Sequence, residues 1–282
     1  MYKLKTFILN LSIKKIYNFL FLSDIKKTGY FSYLTDLYFQ FLLNKFPKLS
    51  KNEFEKSIKE LITNSQNQNN DITTLLYDAF EPNYKKNLNN YYKLLEKQIF
   101  FRFLEYSINP KLIKKKYSDI YNFAFREINK PLEILEIGGG VCHGLIYNLW
   151  EKRENFYKSL TYVEADMLHT EFTTWFCEKY NIPLTKKIFP ASKTPTLTGL
   201  NYNFVFAKDI FEHLDNPETL INELCCNDQS SHALLCLDLE HKGPVNTQHI
   251  NPNLPILKKI LFKNNFKVIK KFGDISIWKK NI

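Results

Sequence analysis

The sequence predicts an α/β protein with a doubly wound, mostly parallel sheet and an antiparallel C-terminal hairpin, preceded by an all-helical N-terminal domain. Three observations lead to this fold class. From Pro131 onward, short apolar runs alternate with segments of helical periodicity. Only Gly273 and Asp274 separate the last two apolar runs, which is the spacing of a hairpin. Before about residue 128 the periodicity is helical alone.

The apolar runs place the strands and helices of the second half. Strands are predicted over residues 132–137, 160–163, 204–207, 233–237, 266–272 and 275–278. A helix is predicted to end at Trp150, and further helices cover about 165–180, 217–224 and 254–263. Parallel strands joined by right-handed helical crossovers are the arrangement that this alternation favours.

The first half is expected to form a helical domain or extension over residues 1–117, and the sheet domain then covers 118–282. Apolar side chains recur at helical spacing and give each helix one buried face: Leu9, Ile13, Ile16 and Leu20; Leu34, Tyr38, Phe41 and Leu42; Phe54, Ile58, Leu61 and Ile62; Tyr92, Leu95, Ile99 and Phe103. The polar stretch 63–71 is predicted to be an exposed loop, and the last helix ends near Pro110. No catalytic motif lies in this region.

Charge and cysteine content restrict the partners and the compartment. The net charge is +10, and residues 1–119 contain 20 Lys and Arg against 11 Asp and Glu. Solvated surface is the simpler interpretation of this basic half; binding of nucleic acid, anionic lipid or a phosphorylated substrate is the alternative. The five cysteines lack zinc-motif spacing, and no stretch reaches the roughly 20 apolar residues of a membrane span. We therefore expect a cytoplasmic protein with reduced thiols, no metal site and no membrane span.

The most informative segment is a glycine turn that follows the first predicted strand. The chain runs from Glu136 through Gly138, Gly139 and Gly140 into a helix. Glycines at such a junction let backbone N–H groups approach a ligand closely at the start of the helix. A dinucleotide-binding motif is disfavoured because it requires glycine where His143 stands, and a P-loop is excluded because no Gly-Lys-Ser/Thr follows. A tight turn without a ligand is the alternative.

A second strand ends at a carboxylate. Glu164 closes the run Thr161–Val163 one helix after the glycine turn. An acid at the tip of the strand beside the first one can accept the hydroxyl groups of a ribose. Glu164 is therefore the candidate ribose ligand, and capping of the following helix is the alternative.

The third segment carries a resemblance to a known family. It follows the strand 204–207 and reads Lys-Asp-Ile-Phe-Glu-His-Leu-Asp-Asn-Pro over residues 208–217. With the glycine turn and Glu164, it resembles the motifs of class I S-adenosylmethionine-dependent methyltransferases over about residues 118–282. The matching positions are Glu136, Gly138, Gly140, Glu164, Asp209, Glu212, His213, Leu214 and Pro217. The resemblance implies a Rossmann-like seven-stranded sheet and S-adenosyl-L-methionine as the cofactor, bound by Glu136, Gly138, Gly139, Gly140, Glu164 and Asp209.

The chain departs from the family pattern at several places. Cys142 stands where the third glycine of the first motif is usual, and Gly144 follows two residues later. The acid that would bind the adenine amino group after the third strand is missing, and Ser192 is a weak substitute. Polar residues 227–230 replace the glycine that is usual before the fifth strand. These departures bear on the strength of cofactor binding more than on the fold.

The expected activity is methyl transfer to a small polar acceptor, such as a hydroxyl group of a sugar or other metabolite. His213 is the candidate base, because an unperturbed imidazole titrates near neutral pH; support of the loop is its alternative role. Asp238, Glu240 and His241 form a further polar cluster that is expected to face the acceptor. Two other functions stay open: an RNA methyltransferase that uses the basic helical half, and a catalytically silent interaction protein. The oligomeric state is not predicted.

Overall fold

The computed structural model of the chain describes residues 29–45, 47, 50–52, 54, 117–190, 193–227, 232–240 and 254–281. Within these residues there are six α-helices, which we number α1 Tyr30–Lys45, α2 Asp119–Ile128, α3 His143–Trp150, α4 Leu168–Lys179, α5 Pro217–Cys226 and α6 Pro255–Lys263. The seven strands are β1 Leu132–Ile137, β2 Tyr157–Ala165, β3 Leu184–Phe189, β4 Phe204–Ala207, β5 Leu234–Asp238, β6 Phe266–Phe272 and β7 Ile275–Lys280. Short 3₁₀ turns cover Glu154–Phe156 and Phe211–His213.

All seven strands form one sheet in the order β3-β2-β1-β4-β5-β7-β6. The first five strands are mutually parallel, and β7 is antiparallel to both β5 and β6. The structure thus confirms the predicted fold class, including the C-terminal hairpin. It adds that β7 lies between β5 and β6, so that β6 forms the edge of the sheet. Strand order reverses between β1 and β4, and the carboxyl ends of the parallel strands meet at one edge, which we call the carboxyl edge.

Alternating side chains of the strands contribute to two hydrophobic cores, one on each face of the sheet. On the first face, Ile134, Tyr162 and Phe206 pack with residues of α1 to α4. On the second face, Leu135 and Val205 pack with residues of α5 and α6. The central strands are buried on both faces, which explains why their sequences read as continuous apolar runs.

The predicted face of the first described helix is confirmed. Leu34, Tyr38, Phe41 and Leu42 of α1 are all buried, and they belong to the first core of the sheet. The rings of Tyr38 and Phe41 lie 4.6 and 5.3 Å from the ring of Phe172 on α4. At least this helix of the N-terminal half therefore shares a core with the sheet. The boundary between residues 117 and 118 stays a prediction, and the other predicted elements before Tyr117 lie almost wholly outside the described residues.

Several predicted boundaries shift. Strand β2 begins three residues earlier than predicted and continues one residue past Glu164. The prediction that the next helix begins near Ala165 is wrong, because Met167 is extended (φ −144°, ψ 169°) and α4 begins at Leu168. The start of α5 is as predicted: Pro217 occupies the first turn, and the Asn216 side chain accepts a hydrogen bond from the Thr219 N–H at 3.2 Å.

Within the described residues, no helix is long and apolar enough to span a membrane.

Candidate functional site

The glycine turn joins β1 to α3 at the point where strand order reverses. Gly138 and Gly140 have φ values of 66° and 58°, in the left-handed region that favours glycine. The Gly138 N–H donates a hydrogen bond to the Val163 carbonyl at 3.0 Å, which fastens the turn to β2. The turn therefore has the predicted position and the backbone conformation of a close-approach loop.

Protein atoms pack tightly against two of the turn's glycines. A Cβ atom at Gly138 would lie 2.6 Å from Cδ1 of Ile210, and one at Gly139 would lie 2.5 Å from Cγ and Oε1 of Glu136. Both distances are too short for real contacts. Packing within the protein thus accounts for part of the glycine content of this turn.

Cys142 adopts the conformation that the missing third glycine would have allowed. Its φ is 52°, again left-handed, and it immediately precedes α3. Its thiol is fully buried and hydrogen bonds to the Glu136 carboxyl group. Cys142 therefore makes a buried side-chain contact at the start of α3.

Glu136 lies beneath the turn. The residue is only 1% exposed, and its Oε2 accepts a hydrogen bond from the Tyr121 hydroxyl at 3.5 Å. Burial raises the pKa of Glu136 to about 8, and the charge of Glu164 contributes to the rise. The carboxyl group is thus protonated at neutral pH and supports the turn from below. Direct contact of Glu136 with a cofactor stays a prediction.

Glu164 lies near the end of β2 and is hydrogen bonded to the turn; its role as ribose ligand stays a prediction. Its Oε2 accepts the Gly140 N–H at 3.1 Å, and its Oε1 accepts the Ala165 N–H at 2.8 Å. His169 on α4 places its Nε2 3.7 Å from the same Oε2. Each carboxylate oxygen has two lone pairs, so these bonds leave acceptor capacity for hydroxyl donors. The side chain is 10% exposed, at the carboxyl edge.

Two hydroxyl groups that the sequence analysis did not single out hold the turn from the other side. Tyr162 donates to the Gly140 carbonyl, and Thr173 of α4 donates to the same oxygen at 3.3 Å. Strand alternation places Tyr162 on the same face as Glu164, so this contact has a signal in the sequence. The contact of Thr173 has no signal in the sequence, because it depends on how α4 packs against the turn.

Gly144 has a packing role. It lies in α3, where a Cβ atom would come within 2.5 Å of the Tyr121 ring. The absence of a side chain lets α2 and α3 approach closely. This glycine therefore does not take over the role of the family's third turn glycine.

The segment after β4 lies against the glycine turn. Ile210 contacts Gly138, as described above, and Asp209 has a φ of 51° and forms an ion pair with Lys208. His213 ends the 3₁₀ turn, is half-buried, and its backbone N–H bonds to the Ile210 carbonyl at 2.9 Å. The structure thus brings the third motif next to the first. The roles of Asp209 and His213 stay predictions.

The predicted cluster after β5 separates into two environments. Glu240 forms ion pairs with Lys258 at 2.6 Å and Lys271 at 3.5 Å, whereas Asp238 is buried at the end of β5. His241 and Ser192 lie outside the described residues. Among the residues that are described, no group of three His, Cys, Asp or Glu side chains is arranged to hold a metal ion.

A buried histidine opens α3 beside this edge. Burial, assisted by the positive charge of Lys208, lowers the pKa of His143 to about 3, so its imidazole is neutral. The Tyr117 ring lies 6.0 Å from the imidazole and 5.5 Å from the Phe206 ring. In the sequence, His143 serves only to exclude a dinucleotide motif, and its position next to Tyr117 has no local signal.

Comparisons with known proteins give similarities in solved structures alone. No protein-family profile and no curated protein sequence matches the chain. A SAM-dependent methyltransferase from Aquifex aeolicus is 16% identical over 60% of this chain and 90% of its own, with a TM-score of 0.40. An SAH-bound methyltransferase from Podospora anserina is 16% identical over 58% and 77%, with a TM-score of 0.41.

A third similar structure is that of the [4+2]-cyclase SpnF, at 10% identity over 54% of this chain and 57% of its own, with a TM-score of 0.38. At these TM-scores the similarities carry no argument about function. The fold assignment rests on the strand order of the chain itself.

Proposed function

We propose that the chain is an S-adenosylmethionine-dependent methyltransferase that acts on a small polar acceptor. The single observation that carries the proposal is the contact between Glu164 and Gly140 at the reversal of strand order. It joins the candidate ribose ligand to the glycine turn, which is where doubly wound sheets bind nucleotides. The family resemblance of the three motifs supports the choice of S-adenosylmethionine.

The residues at the carboxyl edge fit such a cofactor. Glu164 retains lone pairs for two ribose hydroxyls, and the left-handed turn at Gly138 and Gly140 leaves backbone atoms without side chains at the start of α3. In the proposed complex Glu164 binds the ribose, and the turn and Asp209 lie along the methionine portion. Glu136 keeps the turn in shape from beneath.

When bound, the cofactor supplies an electrophilic methyl group on a sulfonium. The chain must then orient the acceptor in line with that group and take up a proton where the acceptor is protonated. His213 is the proposed base, because it follows the segment that lies against Gly138 and is only half-buried. The neutral imidazole of His143 is buried and is the poorer candidate.

Titration calorimetry with S-adenosylhomocysteine tests the proposal. We expect the wild-type protein to bind and Gly138→Arg to lose binding. Gly273→Arg is the matched control, because Gly273 has the same φ of 66° but no neighbouring atom within 4 Å of the place that a Cβ atom would take. Thermal unfolding shows whether both variants are folded. A folded wild type that releases no heat of binding at several temperatures, or equal affinity of Gly138→Arg, would overturn the proposal.

One observation favours RNA as the acceptor. The segment 254–281 has a single acidic residue and eight lysines, all exposed or half-buried: Lys258, Lys259, Lys263, Lys267, Lys270, Lys271, Lys279 and Lys280. It forms α6 and the edge of the sheet and adds a second basic region to that of residues 1–119. A steep loss of affinity for a 30-nucleotide RNA between 50 and 200 mM salt would support this function, whereas a flat response would exclude it.

A catalytically silent interaction protein would differ from a methyltransferase in that it does not turn over S-adenosylmethionine. A catalytically silent chain would form no S-adenosylhomocysteine with any cell extract as the source of acceptor. Protein-dependent formation of S-adenosylhomocysteine from such an extract would remove this alternative.

A further inference from the structure

Two buried carboxylates at the carboxyl edge have oxygen atoms without hydrogen-bond donors. Asp238, the last residue of β5, is 4% exposed, and Glu212, in the 3₁₀ turn after β4, is 2% exposed. Within the described part of the chain, Oδ1 of Asp238 and Oε2 of Glu212 are buried and accept no hydrogen bond. Buried polar atoms are nearly always paired, because an unpaired one costs free energy. We call Asp238 and Glu212 the acidic pair.

Sheet register places Asp238, one member of the acidic pair, close to the glycine turn. Ala207 pairs with Ile137 on β1 and with Leu237 on β5. Gly138, Lys208 and Asp238 therefore follow one another across three neighbouring strand ends. Asp238 is also on the face of β5 that carries Cys236, which is the face covered by α2 and α3. Asp238 thus ends the strand two places from the turn, on the acceptor side of the proposed cofactor site, and Glu212 is near enough for its charge to act on Asp238.

The positive charge beside Asp238 is shared with a second acid. Lys208, the cation whose charge acts on Asp238, forms its ion pair with Asp209, and the buried imidazole of His143 is neutral. Burial raises the pKa of Asp238; Lys208 opposes this shift, and the charge of Glu212 adds to it. Lys208 is thus shared between Asp238 and the exposed Asp209, and Glu212 adds a second carboxyl group whose charge acts on Asp238.

A bound cation with N–H groups would supply both hydrogen-bond donors for the unpaired oxygens and positive charge for the carboxyl groups. A hydroxyl group could donate to one unpaired oxygen, but it would bring no positive charge to the two buried carboxyl groups. An ammonium group donates up to three hydrogen bonds and supplies positive charge, and charge-assisted hydrogen bonds are about twice as strong as neutral ones. Tyr117, whose pKa is raised by its burial and by nearby groups that include Glu136 and Asp238, adds aromatic surface to this region.

We propose that the acceptor is a primary or secondary amine, bound as its ammonium ion by Asp238 and Glu212. This inference rests on the proposed function and narrows its acceptor class. His213, the base of the proposed function, takes one proton from the ammonium ion, which frees the nitrogen lone pair. The nitrogen then forms a bond to the methyl carbon while the carbon–sulfur bond breaks, and that electron pair stays on sulfur. The products are an N-methylammonium ion, a neutral thioether and a protonated imidazole.

The first test needs no knowledge of the natural acceptor. Asp238→Asn and Glu212→Gln keep the size of each side chain but remove a buried charge, so each is expected to raise the melting temperature at pH 7.5 by about 2 °C or more. Asp215→Asn is the control, because Asp215 is an exposed acid that is paired with Lys193 and Thr194. Lower melting temperatures of both pair variants would show that the carboxylates have structural partners, and this would overturn the inference.

The second test measures binding of a small probe to the full chain. Ethylammonium chloride at 100 mM is expected to raise the melting temperature of the wild type by about 2 °C more than sodium chloride at equal ionic strength or ethanol at equal concentration. Asp238→Asn should lose this increment. Equal effects of all three solutes, or an increment that survives in both Asp238→Asn and Glu212→Gln, would overturn the inference.

The result of the ethylammonium test is independent of the result of the S-adenosylhomocysteine test. Binding of S-adenosylhomocysteine without protection by ethylammonium would leave the methyltransferase proposal standing and remove the amine. Protection by ethylammonium without binding of S-adenosylhomocysteine would identify an ammonium site and remove the methyltransferase proposal.

Discussion

The protonated carboxyl group beneath the glycine turn leads to a quantitative prediction about stability and pH. Burial raises the pKa of Glu136 from 4.5 to about 8. Below pH 4.5 the carboxyl group is protonated in both the folded and the unfolded chain, and its contribution to stability is fully present. Between pH 4.5 and 8 the unfolded chain releases the proton and the folded chain keeps it, so stability falls as the pH rises.

The size of this effect follows from the pKa values. One pH unit corresponds to about 1.4 kcal/mol for one proton, so Glu136 contributes a slope of roughly that size per pH unit across this window. The full difference is on the order of 4 kcal/mol between pH 4.5 and pH 8. Glu136→Gln has the same shape and no titrating proton. We therefore expect the variant to be more stable than the wild type at pH 8 by a few kcal/mol and nearly equal to it at pH 5.

Urea unfolding at pH 5.0, 6.5 and 8.0 measures this difference, provided that the m-value is unchanged by the substitution. Glu133→Gln is the matched control, since it removes a half-buried surface carboxylate from the same strand, paired there with Lys158. Parallel stability profiles of the wild type and Glu136→Gln would refute the reasoning. A variant that is less stable at pH 8 would show that Glu136 is ionised in the fold.

The remaining predictions concern the turn and the base. Gly144→Ala is expected to destabilise the fold by about 1–2 kcal/mol in urea unfolding, because its Cβ would meet the Tyr121 ring; an unchanged midpoint would contradict the described packing. Glu164→Gln is expected to weaken S-adenosylhomocysteine binding about tenfold by calorimetry, since a charged acceptor becomes neutral; equal affinity would exclude the ribose role. His213→Ala should lower kcat at least tenfold with cofactor affinity intact, and an unaltered rate would end its role as base.

Much of the fold is encoded locally. The bounds of β1, β4 and β6 are those predicted, because each is an apolar or alternating run with clear punctuation on both sides. The first three residues of β2 were missed, since Tyr157, Lys158 and Ser159 do not form an apolar run. The insertion of β7 between β5 and β6 is a non-local pairing, and hairpin spacing alone does not specify it.

The candidate site, like the fold, has features that the local sequence predicts and features that depend on non-local packing. Glycine content and a strand-end acid were sufficient to place the turn and Glu164 at neighbouring strand ends, because parallel strands bring their carboxyl ends to one edge. Asp238 was expected to face the acceptor and Glu212 belongs to the third motif, but their burial was not predicted, since it depends on how three strand ends and the helices above them pack. The position of Glu136 beneath Gly139 is of the same kind. The sequence indicates which groups reach the carboxyl edge, and packing determines which of them are buried from solvent.

The central claim is that S-adenosylmethionine binds at the glycine turn with Glu164 on its ribose. A crystal structure of the complex with S-adenosylhomocysteine tests it most directly. The claim predicts both ribose hydroxyls within about 3 Å of the Glu164 carboxylate, at ordinary hydrogen-bond distance, and the sulfur on the side of Asp238. A ligand bound away from Gly138–Gly140, or a ribose whose hydroxyls do not contact Glu164, would contradict it.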